Sequence, residues 1–87
     1  MTKRILHLTL IRKWFDEIAS GRKKEEYREI KSYWTVRLKD KIYDEIWFKN
    51  GYAEDVPFMR VEYKGLKEKD GKYVIALGKI LEVRNND

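Results

Sequence analysis

What most restricts the fold of this chain is a change of apolar period at a single point near its start. Leu6, Leu8 and Leu10 alternate with Ile5, His7 and Thr9, the two-residue period of a strand. Directly after them, Ile11, Trp14, Phe15, Ile18 and Ala19 fall at i, i+3, i+4, i+7 and i+8, which lines them along one side of a helix. A strand over residues 4–10 therefore runs straight into a helix, and Gly21 ends that helix as glycine commonly does just past a C-terminus. Trp14 and Phe15 belong to the apolar stripe and are expected in the core.

The rest of the chain reads mostly as strands. Residues 23–30 carry dense charge around Tyr27 and form a second strand, and Ser32 is placed to cap a short helix running through Trp34 to Leu38. Residues 42–49 set Tyr43 and Trp47 on one parity and Ile46 and Phe48 on the other, as in a central strand covered on both faces, with Trp47 in the core. Asn50-Gly51 is a tight-turn dipeptide, and Pro57 marks the irregular stretch before a strand over 58–64 with Met59, Val61 and Tyr63 inward. Asp70-Gly71 signals a hairpin into residues 73–83, where Tyr73, Ile75, Leu77, Leu81 and Val83 share one parity and Gly78 marks a bend or bulge. Five strands with two helices near the N-terminus give an α+β fold with an antiparallel or mixed sheet. So small a sheet either exposes its edges or closes into a barrel, and closure is expected.

Residues 1–87 make one domain, since so short a chain cannot build two ordinary cores. Aromatics at 14% supply enough large side chains to do this without staples. The absence of cysteine excludes a disulfide framework and thiolate metal sites, and removes any sign of an oxidising compartment. No run approaches the roughly 20 apolar residues of a membrane span, and the first ten residues lack the apolar centre of a secretion signal. A soluble, cytoplasmic protein with no membrane partner is expected, ending in a polar tail at Asn85, Asn86 and Asp87. Twenty Lys and Arg against 15 Asp and Glu favour anionic partners, although a charged fraction of 40% means that many of these groups only solvate the surface.

Chemistry concentrates in Gly21-Arg22-Lys23-Lys24-Glu25-Glu26-Tyr27-Arg28. In a strand Glu26 and Arg28 share a face, and Lys23 points away unless a turn after Gly21 breaks the parity. With that turn, Lys23 and Arg28 converge as two cations on one carboxylate and leave a positive site for a phosphate or a base edge. The same residues also fit a structural Glu26–Arg28 ion pair with Lys23 solvated. Arg22 and Lys24 add charge beside them, and Tyr27, Trp34, Trp47 and Tyr52 are candidate stacking surfaces, worth about 1–3 kcal/mol per base. Asn50 is suited to reading a base edge, though turn formation explains it as well, and Tyr52 beside that turn is expected to be exposed near a cleft. His7, the only histidine, lacks the company a metal site needs, and neither Ser20 nor Ser32 has a nucleophile-elbow context. No metal and no cofactor is implied.

Gly21, Lys23, Glu26 and Arg28 match all four fixed positions of the pattern G-x-K-x-x-E-x-R. With the helix before them, and with Phe48-Lys49-Asn50-Gly51-Tyr52 and Ile75-Ala76-Leu77-Gly78 after them, they make the chain resemble the ASCH family over about residues 5–81. The resemblance implies a PUA-like pseudo-barrel with a cleft beside the first helix and an association with RNA or nucleotides. Some ASCH-like proteins are amidohydrolases of acylated cytidine and others resemble ribonucleases; in the amidohydrolases the signature lysine, here Lys23, is regarded as catalytic. This chain departs from them. Glu26 stands where they carry threonine, and a carboxylate beside a lysine stabilises the charged ammonium, which cannot act as a base. Their acidic helical segment is missing, with Glu54 or Glu62 as the candidate replacements for its glutamate. A metal-free ribonuclease would draw its acid and base from Lys23, Glu26 and Tyr27. The expected function is an RNA- or nucleotide-binding module using these residues; a hydrolase of modified nucleosides and an accessory protein-interaction domain are the alternatives. No feature of the sequence speaks to oligomeric state.

Overall fold

Each change of period becomes a change of element in the computed structural model, which describes residues 2–53 and 55–84. The order is β1 (Ile5–Thr9), α1 (Arg12–Ala19), β2 (Glu25–Glu29), α2 (Ser32–Leu38), β3 (Glu45–Lys49), β4 (Phe58–Lys69) and β5 (Lys72–Arg84). The strands form one sheet in the order β1-β3-β4-β5-β2, with β1 parallel to β3 and every other pair antiparallel. The sheet curls into a half-barrel. Leu6 and Leu8 of β1, Phe15 and Ile18 of α1, Leu38 of α2, and Ile46, Phe48, Met59, Val61, Tyr73 and Ile75 of the inner strands fill its concave side.

Closure is partial. The two edge strands, β1 and β2, share no backbone ladder among the described residues. A side chain spans the seam instead: Arg28 Nη2 donates to the Thr9 carbonyl at 3.3 Å.

Several local expectations change. Ser32 is the first helical residue of α2, not its cap; Lys31 takes the cap position in extended conformation and makes no side-chain capping bond. Tertiary contacts fix this helix instead, as is usual for short helices. Leu38 is fully buried, the Thr35 and Tyr73 hydroxyls meet at 2.6 Å, and the Tyr43 hydroxyl donates to the Arg37 carbonyl. Trp47 is half-buried on the convex face and not in the core, edge-on to His7 and Phe58, with Nε1 donating to Glu45 at 3.0 Å.

The long β4–β5 hairpin turns at Asp70 (φ 52°) and Gly71 (φ 75°), the positive angles that suit the twist of a two-residue loop. Its register is broken. Ile80 lies opposite Val61 while Glu82 lies opposite Arg60, so Leu81 is an extra residue and the parity of Tyr73, Ile75 and Leu77 does not carry through. Leu81, the extra residue, is exposed at 38% and Ile80 packs against the core in its place, whereas Val83 lies opposite the buried Met59 and is still 43% exposed at the end of the strand. Gly78 sits in a second irregularity, between Leu77 opposite Tyr63 and Ile80 opposite Val61.

On the convex face Glu45 is a buried carboxylate, only 4% exposed. It accepts from Lys3 Nζ at 2.7 Å, Arg60 Nη1 at 2.7 Å and Trp47 Nε1. These donors, Lys3 first and Trp47 next, hold its pKa down to about 2 from an ordinary 4.5.

A methyl at Gly78 would sit 2.7 Å from Lys64 Cε, 2.9 Å from Lys64 Cγ and 3.0 Å from Glu62 Cβ. The Lys64 side chain is 57% exposed and can swing aside, so Gly78→Ala should destabilise by no more than about 1 kcal/mol, and a larger fall in melting temperature would show that the irregularity itself requires glycine. Because the Glu45 pKa is depressed on folding, its stabilisation is full above about 4.5 and disappears as pH falls through about 2. Denaturation across that window should show a stability loss that Glu45→Gln flattens.

Candidate functional site

The site begins where α1 ends. Gly21 takes φ 84°, and the Lys23 amide then donates back to the Glu17 carbonyl at 3.0 Å, folding the chain under the helix terminus. Regular pairing resumes when the Leu77 amide donates to the Lys24 carbonyl, so Lys23 and Lys24 precede β2 and escape its alternation. That turn brings the three signature side chains together. Lys23 Nζ lies 3.5 Å from Glu26 Oε1, and Arg28 Nη2 lies 2.6 Å from Glu26 Oε2. Glu26 is only 6% exposed, so its charge is tolerated because two cations answer it.

Arg28 works in several directions at once. The same Nη2 reaches Thr9, the guanidinium carbon lies 4.8 Å from the Trp34 ring centroid, and Nε is buried without a hydrogen-bond partner. Lys23 is held differently. Its ammonium lies 5.1 Å from the Trp14 ring centroid and 4.7 Å from that of Tyr27, so two aromatic faces and one carboxylate surround it. The Tyr27 hydroxyl donates to Glu25 Oε1 at 2.9 Å, and that bond, ahead of its slight burial, pushes the phenol pKa up and keeps it protonated.

These groups face an open cleft of about 1110 Å³ at the seam between the edge strands. Thr9, Leu10, Ile11, Trp14 and Glu17 line one side, residues 22–28 the other, with Lys72 and Ala76 contributed by β5. Five cations face three carboxylates in this lining, leaving it positive. Among the described residues no group of three or more His, Cys, Asp or Glu side chains is gathered to hold a metal, and no helix is long and apolar enough to cross a membrane.

No family model and no curated protein matches this chain.

Arg22, Lys23, Lys24, Glu26, Tyr27 and Arg28 all line the one cleft. Two other candidates do not. Asn50 donates Nδ2 to the Leu10 carbonyl at 2.9 Å and its amide to Pro57, so it braces the cleft rim from behind. Tyr52 is 92% exposed but takes no part in the lining. Glu62 accepts from the Lys79 amide at the β5 irregularity, away from the cleft, and Glu54 and the tail at 85–87 lie outside the described residues.

Trp14 is the principal correction. Expected in the core, it is 40% exposed and forms a cleft wall. At about 100° per residue it lies on the margin of the apolar stripe, on the side of Glu17 and away from Phe15. That neighbouring glutamate was the available signal. Glu17 itself, which pairs with Arg22 at 2.6 Å, and Lys72 carried no local signal.

Arg28→Ala should lower stability by about 1–3 kcal/mol, because it leaves Glu26 short of a donor and the Thr9 carbonyl unbridged. Arg28→Lys should recover only part of this, lacking the planar fork. Equal denaturation midpoints for all three proteins would show that the seam does not depend on Arg28.

Proposed function

We propose that this chain is an RNA- or nucleotide-binding module of the ASCH type that holds its ligand in the cleft at the β1–β2 seam. One observation carries this reading: two cations and a carboxylate from three different backbone positions meet in an open cleft beside two exposed aromatic rings. The cationic excess suits phosphate, and the half-exposed rings of Trp14 and Tyr27 suit a base that displaces the lysine ammonium groups now lying over them. Lys23 offers a donor for a base edge, while Glu26, buried between its two cations, fixes their placement. A merely structural ion pair would need neither the open volume nor a tryptophan withheld from the core.

Binding is better supported than hydrolysis. A base must be able to take a proton, whereas the Lys23 ammonium is engaged by Glu26 and two ring faces, and the Tyr27 hydroxyl is committed to Glu25. Both groups are arranged as fixed donors.

The test is titration with 5′-mononucleotides and short single-stranded RNAs, followed by fluorescence. Binding is expected at low salt and should weaken steeply as salt rises. Trp14→Ala should weaken it by about 1–3 kcal/mol, roughly 5- to 150-fold, through loss of a stacked base. If neither class of ligand binds at low salt, the proposal fails; conversion of acetylcytidine to cytidine that disappears in Lys23→Ala would replace it with the hydrolase reading.

A further inference from the structure

The main cleft does not end at Tyr27. A second depression of about 330 Å³ adjoins it, lined by Glu25, Tyr27, Lys69, Asp70, Lys72 and Val74. Glu25, Tyr27 and Lys72 line both, so the two compartments form one groove divided by the tyrosine ring. The ring is a fixed partition, since its hydroxyl is tied to Glu25.

The charges of the smaller compartment are unevenly answered. Glu25 is supplied by the Tyr27 hydroxyl and by Lys67 Nζ at 3.7 Å. Lys69 and Lys72, however, stand directly opposite each other across the last rung of the β4–β5 hairpin. Like charges in that position destabilise a sheet. Neither forms a salt bridge among the described residues; Glu29, which lies opposite Lys72 on β2, is paired with Lys31 at 2.9 Å and feels Lys72 only as a weaker, non-bonded charge. Two ammonium groups so placed at the exit of a positive cleft, offset only in part by Glu29 and by Asp70 of the same lining, still favour an anion between them.

Volume points the same way. The main cleft already reaches the upper end of the roughly 300–1,000 Å³ usual for small-molecule sites, before the side groove is added.

We infer that the ligand is a single-stranded oligonucleotide whose chain passes over Tyr27, with one nucleotide in the main cleft and an adjoining phosphate between Lys69 and Lys72. This rests on the nucleotide-binding function proposed for the main cleft and extends it from a nucleotide to a strand.

The experiment compares a mixture of 5′-mononucleotides, random-sequence RNA tetramers and inorganic polyphosphate at about 50 mM salt, using the wild-type chain and Lys69→Gln. Tetramers should bind at least tenfold more tightly than mononucleotides. Lys69→Gln should remove about three- to tenfold of that gain, leave mononucleotide binding unchanged, and reduce the slope of log affinity against log salt by about 0.7, the value for one single-strand phosphate. Its melting temperature without RNA should not fall, because the substitution relieves a repulsion. Equal affinity for mononucleotides and tetramers overturns the inference and leaves nucleotide binding standing. Polyphosphate binding as tight as tetramer binding also overturns it, by reducing the groove to an anion patch. No binding of any nucleotide probe removes the proposed function and this inference together.

Discussion

A single guanidinium does at one seam what backbone ladders do elsewhere in this sheet. β1 and β2 are joined through α1 yet lie at opposite edges of the strand order, and the curl of the sheet brings the edges back toward each other without letting them pair. Arg28 crosses the remaining gap to the Thr9 carbonyl while holding Glu26 on its own strand. A ladder here would have produced a closed barrel with no cleft. A side chain leaves a seam that is mechanically joined and still open to a ligand.

The polar character of the seam follows from that geometry. Edge strands carry unpaired amides and carbonyls, so purely apolar closure would have buried them without partners. Polar side chains meet the need with fewer atoms: the Asn50 amide answers the Leu10 carbonyl and the Arg28 guanidinium answers that of Thr9, while Lys23 and Arg28 also neutralise Glu26. The cost is a weaker join, and the return is a lining whose donors are already oriented. On the proposed function, the groups that close the fold also prepare the ligand site.

The sequence made legible whatever depends on neighbours within a few residues. The period change at Leu10, the stop at Gly21 and the turn at Asp70-Gly71 each come from local backbone preference, and each holds in the structure. The convergence of Lys23, Glu26 and Arg28 was also readable, because one turn suffices to break the parity. The failures have a different origin. Leu81 continues a regular pattern that the broken β4–β5 register interrupts, and Trp14 continues a helical stripe whose margin is decided by where the β1–β2 seam lies. Lys72 reaches the cleft only because β5 pairs with β2, a contact nearly fifty residues away in sequence. Such placements belong to topology, and no local pattern carries them.

Two buried carboxylates separate structural from receptive ion pairing in this molecule. Glu45 and Glu26 are almost equally inaccessible, and each lies between a lysine and an arginine. Around Glu45 the network continues outward: Arg60 also binds Glu82, Glu82 binds Arg84, and Arg84 lies over the Phe58 ring. Every charge there leads to another, and its members lie on the convex face, outside the lining of the cleft. Around Glu26 the pairing stops short. The Lys23 ammonium turns toward ring faces instead of a second carboxylate, at the wall of the cleft. A network that continues from charge to charge has already used its fields in folding, whereas one that ends at the wall of a cleft in an ammonium with a single carboxylate partner still has interactions to offer. On that difference the seam, not the equally charged convex face, is the surface equipped to receive a guest.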